Sequence, residues 1–233
     1  MAQSEIALIV GAGPGLSASL ARLFRKEGMS IALAARDAKK LDGLVQEIDG
    51  RAYVCDASAP KDVENLFEAV SKDFGAPNIV VYNASGRVRG PLADLDSDEV
   101  RKTIMITCYG GFLVGQAAAK RMLKSGGGTI LFTGASASVK GYANSAAFAM
   151  GKMGLTGLVQ SMARELQPQN IHVAQVVIDG GIYDAARPER LTARGPDGGL
   201  DPDAIARTYL HLHRQHRSAW ASQVELRPWV EKF

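Results

Sequence analysis

Two points in the sequence combine residue types and spacing that suit chemistry. The first is Gly11-Ala12-Gly13-Pro14-Gly15, which follows the apolar run Ile6-Ala7-Leu8-Ile9-Val10 and precedes Leu16, Leu20, Leu23 and Phe24 at helical spacing. A phosphate needs close approach to the backbone, and side chains here would block it. The helix that follows offers free N–H groups and the positive end of its dipole. A tight turn between a strand and a helix would use some of the same glycines. The setting at the start of a βαβ unit favours dinucleotide binding by Gly11, Gly13, Pro14, Gly15 and Leu16. Ser17 holds the place of the third glycine and is small enough for close helix packing.

The second point is the end of the next apolar run, Ala34-Ala35-Arg36-Asp37. A carboxylate in the place of Ala35 would accept hydrogen bonds from a ribose diol and select NAD. Alanine cannot do so. The guanidinium of Arg36 can fork onto a 2′-phosphate, so NADP(H) is expected over NAD(H). The other reading is a solvated loop charge at Arg36, with Asp37 as a helix cap. No metal set is expected. Cys55 and Cys108 lack ligand spacing with each other or with His172, His211, His213 and His216, and two thiols make no disulfide framework. The histidines read as surface or core residues.

The elements that must position these residues follow from periodicity. Apolar runs at 6–10, 30–35, 52–55, 78–82, 129–133, 171–178 and 220–226 read as strands. Amphipathic stretches between them predict helices, with long ones at about 97–123 and 144–166 and a last one from Asp201 or Pro202 to about 213. This alternation predicts an α/β fold: a Rossmann-type doubly wound parallel sheet of about seven strands with helices on both faces. Residues 183–200, rich in Pro, Gly, Arg and Asp, show no period and read as a substrate lid. Arg187, Arg190 and Arg194 there suit an anionic group or are solvated charges.

With 233 residues, 46% hydrophobic and 22% charged, the chain suits one domain over 1–233 rather than a disordered segment. A net charge of +3 without a basic run argues against a nucleic-acid partner. No run approaches the roughly 20 apolar residues that cross a bilayer, so no membrane partner is expected. Residues 1–5 carry no basic leader, and a soluble cytoplasmic protein is the expectation.

Taken together, these residues resemble the short-chain dehydrogenase/reductase family over nearly the whole chain, from 6 to about 226. Asp56, with Ala57 beside it, matches the family's aspartate that contacts the adenine. Asn83-Ala84-Ser85-Gly86 is similar to the family's Asn-Asn-Ala-Gly strand end, with Tyr82 for the first Asn and Ser85 for the Gly. Gly110-Gly111-Phe112 matches the interior of the family's fourth helix. Ile178-Asp179-Gly180-Gly181-Ile182 resembles the strand end near the nicotinamide, with Asp179 for its proline. The resemblance therefore extends the cofactor contacts to Asp56, Ala57, Asn83, Ala84, Ser85, Gly180 and Ile182.

The family's chemistry rests on a Tyr-x-x-x-Lys pair, a serine and an asparagine, with the tyrosine moving the proton as hydride moves at carbon. Here Phe148 stands for the tyrosine and Lys152 is kept four residues later. The serine place holds Ala135, with Ser136 adjacent and Ser138 beyond, and the asparagine place holds Thr107. The resemblance gives Lys152 a contact to the nicotinamide ribose and makes Ser136 the best polarising hydroxyl. Tyr142 is the best substitute proton donor, ahead of Tyr109 and Tyr183. Phe148 either packs the pocket floor or touches substrate or nicotinamide.

The leading expectation is a divergent NADP(H)-dependent oxidoreductase. It would transfer hydride to or from a small organic molecule such as an activated carbonyl, enone or imine. The alternatives are a degenerate scaffold subunit that binds cofactor, or a non-redox isomerase or lyase. The resemblance also implies a homodimer or homotetramer paired through the two long helices, with the tail 227–233 docking on a neighbour or covering its own sheet edge.

Overall fold

The computed structural model describes residues 4–184, 189, 195 and 197–230. Unbroken runs of branched and small apolar side chains need cover on both faces, and a parallel sheet between helical layers supplies it. The chain runs β1 (Ile6–Val10), α1 (Leu16–Lys26), β2 (Ser30–Ala35), α2 (Asp42–Ile48), β3 (Arg51–Val54), α3 (Pro60–Asp73) and β4 (Ile79–Tyr82). It continues with α4 (Ser97–Ile104), α5 (Gly110–Ser125), β5 (Gly128–Thr133), α6 (Ala146–Leu166) and β6 (Ile171–Ile178). After β7 (Gly181–Ile182) and β8 (Gly199–Leu200) come α7 (Pro202–Arg214) and β9 (Gln223–Leu226).

The main sheet has seven parallel strands in the order β3-β2-β1-β4-β5-β6-β9, the doubly wound fold that the sequence predicts. Strand alternation divides each run between two cores. Ile6, Leu8 and Val10 face one core with Phe67, Val114, Phe132 and Leu155. Ala7 and Ile9 face the other with Leu20, Phe24, Ile205 and Tyr209. Burying each large side chain is worth roughly 1.5–3 kcal/mol, which holds helices on both faces. The strand order reverses between β1 and β4, and their carboxyl ends open a crevice there.

Four expectations need correction. Residues 97–123 do not form one uniform helix: a π-helical turn, Met105–Tyr109, separates α4 from α5. The wider turn frees the Ile106 carbonyl to accept the Tyr82 hydroxyl, and it sets the Thr107 hydroxyl against the Gly86 backbone. Asp37 does not cap a helix. A short 3-10 turn, Ala38–Leu41, precedes α2, and the Asp37 carboxylate pairs with Lys40 instead. The last strand begins at Gln223, because Trp220 turns back to stack on His172. The 183–200 stretch is less irregular at its far end than expected, since Gly199–Leu200 form β8, which pairs in parallel with β7 just before the stretch. Arg187, Arg190 and Arg194 lie outside the described residues, as do positions 231–233 of the tail. Pro228 is buried near Gly180, while Trp229 is 83% exposed. Among the described residues, no helix is long and apolar enough to cross a membrane.

One contact fixes the crevice. Gly11 has φ +85°, and a Cβ there would collide with the backbone of Ala84 beyond β4. At Gly13 a Cβ would meet nothing within 4 Å. Gly11→Ala should therefore lose at least about 2 kcal/mol of stability in urea unfolding, while Gly13→Ala keeps its midpoint.

Candidate active site

The glycine turn ends at α1, whose N-cap is Gly15, with no side chain bonded to its first N–H groups. A Cβ at Gly13 or Gly15 would project into open space. That leaves an uncapped helix N-terminus beside exposed backbone, which fits a pyrophosphate. The Asn83 amide donates to the Ser17 hydroxyl at 2.8 Å, and Ser17 donates to the Gly11 carbonyl at 3.2 Å. Serine in the third glycine's place thus ties the turn to the end of β4. Gly11, Gly13, Pro14, Gly15, Leu16, Asn83 and Ile182 line a cavity of about 250 Å³.

Arg36 is exposed just past β2, and its charge reaches Asp56. The Asp56 carboxylate accepts the Ser58 N–H and hydroxyl at 2.9 and 2.6 Å, and these bonds hold it below the usual carboxylate range. Ala57 is buried, with its carbonyl close to Gly110. Ser85 is exposed at the crevice.

Beyond the glycine turn, Asn83, Ser85, Thr133, Ala135, Phe148 and Lys152 surround a floor cavity of about 290 Å³. Lys152 is 3% exposed and donates from Nζ to the Thr133 carbonyl at 2.7 Å. α7 steadies that strand end, since the Thr133 hydroxyl bonds the Tyr209 hydroxyl at 2.7 Å. Burial, and the Arg87 charge nearby, push the Lys152 ammonium down to about 8. It is therefore a buried cation, not a solvated helix lysine. Phe148 sits one turn earlier on α6, packed on Ala137 and Ala149, with its ring centroid 5.9 Å from Nζ.

The floor opens into a larger cavity of about 1090 Å³, walled by Ser136, Tyr142, Asn144, Phe148, Asp179 and Gly180 among others. Gly180 and Ile182 border both spaces, so the cleft is continuous from the glycine turn outward. Ser136 faces it. Ser138 does not, because its hydroxyl accepts the Ala135 N–H at 3.1 Å. The Thr107 hydroxyl is fully buried and accepts the Gly86 N–H at 3.0 Å. Tyr142 stands at the rim, 46% exposed, with Lys140 5.7 Å from its ring centroid. Tyr109 stacks on Phe112, and Tyr183 borders the glycine turn.

Sequence reasoning missed Arg87 and Arg89, which line the large cavity. The Arg87 guanidinium lies 4.1 Å from the centroid of the Phe148 ring. The available signal was two arginines, two residues apart, just past the strand end that carries Asn83. Asp179, in the family's proline place, is tied to Lys140 and Arg227, each at 3.7 Å.

A doubly wound sheet with an open phosphate cradle at its switch point and a lysine on the cleft floor defines a dinucleotide-binding α/β protein. The short chain dehydrogenase family model matches residues 5–188. D-threitol dehydrogenase of Mycolicibacterium smegmatis is 28% identical over 221 residues, covering 89% of this chain and 85% of its own. A short-chain dehydrogenase structure from Rhodopseudomonas palustris superposes with TM-score 0.84 at 33% identity, covering 97% of this chain and 99% of that one. A metagenomic short-chain oxidoreductase solved in complex with NADP superposes with TM-score 0.83 at 26% identity, covering 99% and 100%. The chain belongs to the short-chain dehydrogenase family, a family of NAD(P)-dependent oxidoreductases.

The buried ammonium has a stability consequence. Folding lowers the Lys152 pKa from 10.5 to about 8, so between those values the unfolded chain binds more protons. Stability from this group is therefore lowest below pH 8 and rises toward pH 10.5. Relative to Lys152→Met, the wild-type protein should gain on the order of 1 kcal/mol or more across that window in urea unfolding.

Proposed function

We propose that this protein is an NADP(H)-dependent oxidoreductase of small activated substrates, working without the family's tyrosine. The observation that carries the reading is the shared cleft floor. Lys152 and Phe148 lie together where the cleft runs into the open backbone of Gly13 and Gly15. Bound NADPH supplies a hydride. Lys152 uses one N–H on the Thr133 carbonyl and keeps two for ribose hydroxyls. Ser136 orients the oxygen or nitrogen of the substrate from the wall. Phe148 contributes packing and no proton, so the proton comes from water or from Tyr142 at the rim. Substrates that need little acid assistance suit such a site: activated carbonyls, enones and imines.

Arg36 beside Asp56 is the basis for preferring NADP(H), and the relative solved in complex with NADP agrees with that preference. Pairing of two or four copies through α5 and α6 is part of the same reading. It is supported by the exposed side chains of Phe112 and Leu123 on α5 and of Met150 and Met153 on α6.

Calorimetry with NADPH and NADH side by side tests the cofactor assignment. NADPH should bind at least about tenfold more tightly, and Arg36→Ala should erase the difference. Binding of neither would end the oxidoreductase reading. Phe148→Tyr tests the chemistry. It should raise NADPH consumption on simple ketones by about 10²-fold, the usual worth of a positioned acid. A variant that binds NADPH normally with no gain on any ketone would refute this account of the site.

A further inference from the structure

The large cavity next to Lys152 carries two arginines, and among the described residues the one carboxylate on its wall is already paired. Arg87 and Arg89 both line it. Among the described residues, neither pairs with a carboxylate. The one acidic residue on that wall, Asp179, is already held by Lys140 and Arg227. Burial, and then the Arg89 charge, lower the affinity of Arg87 for its proton, and burial and Arg87 do the same to Lys152, so like charges gather on this side of the cleft.

Arg87 is also placed. Its guanidinium lies 4.1 Å from the Phe148 ring centroid, within cation–π range. Packing against a ring engages the face of a guanidinium, while its five N–H donors lie in the plane and stay available for a planar oxyanion. A tyrosine hydroxyl in place of Phe148 would compete for that fork; the bare ring cannot.

We propose that Arg87, supported by Arg89, is a carboxylate-binding subsite, and that the substrate is a small oxo acid. This rests on the oxidoreductase reading for the word substrate, but the subsite itself does not. The small size follows from the shared ring, which keeps the subsite next to the cleft floor. Lys152 Nζ lies 5.9 Å from the same centroid, so the two cations are no farther apart than those two distances end to end. The 2′-phosphate of a cofactor is not the anion in question, because Arg36 and Asp56 lie beyond β2 and β3, across the sheet from this wall.

Two probes of one skeleton, benzoylformate and its methyl ester, test this by calorimetry on the whole protein, with and without NADP⁺. The acid should bind about 10- to 100-fold more tightly than the ester. Arg87→Met should bring the two within about threefold, Arg87→Lys should fall between, and Arg89→Gln should lower the ratio less. Each variant's own ester affinity is the reference. Should Arg87→Met fail to fold, Arg87→Lys and Arg89→Gln still decide the matter. Equal binding of acid and ester, or a preference that survives both Arg87→Lys and Arg89→Gln undiminished, overturns the proposal. NADPH consumption is followed separately. If neither probe is turned over while selective, Arg87-dependent binding remains, the hydride reading fails and the subsite stands.

Discussion

The close approach of Gly11 to Ala84 is the constraint on which the site depends. It brings the turn after β1 against the chain leaving β4, at the point where the sheet reverses its winding. The Asn83–Ser17–Gly11 hydrogen-bond chain fastens the same junction from the side-chain direction. With the two strand ends locked, the α1 N-terminus and the cleft floor keep a fixed separation. A ligand that spans both then meets a preorganised surface, not one it must assemble.

A second junction lies on the other side of β4. The buried Tyr82 hydroxyl reaches the Ile106 carbonyl, and burial pushes its phenol well above the ordinary range. The π-helical turn makes that carbonyl available and sets Thr107 against both Gly86 and Gly151. Thr107 thus acts as a packing wedge between Gly86, at the start of the Arg87 segment, and Gly151 on α6. The Thr107 turn and the segment that carries Arg87 are physically linked through Gly86.

The electrostatics of the floor follow from these placements. Lys152 is a buried cation whose one protein partner shown is a neutral carbonyl, and its neighbour Arg87 has the same sign. Burying like charges costs free energy unless something negative enters. With Phe148 there, the ring face alone offsets some of the repulsion.

Much of this was legible in the residues. The unbroken apolar runs required a sheet covered on both faces, the glycine turn required close backbone approach at the first strand end, and Phe148 four before Lys152 meant a missing proton on one helix face. Those features are local, set by chain sterics and a repeat of 3.6 or 2 residues. The break between α4 and α5 was not legible, since α and π turns share the same composition and only the Tyr82 and Gly86 contacts select between them. Asp37 looked like a cap because caps are read from the residue type, while in the fold a 3-10 turn precedes α2 and the carboxylate pairs with Lys40. The positive wall needed the fold most. Arg87 and Arg89 are ordinary loop charges in the sequence, and their meaning depends on the distance to Phe148 and on Asp179 being taken by Lys140 and Arg227. Sequence determined the scaffold and set Phe148 four residues before Lys152. Tertiary structure decided what surrounds that pair, because charge–charge and ring contacts between residues far apart in the chain, such as Arg87 with Phe148 or Asp179 with Lys140, exist only once the chain has closed.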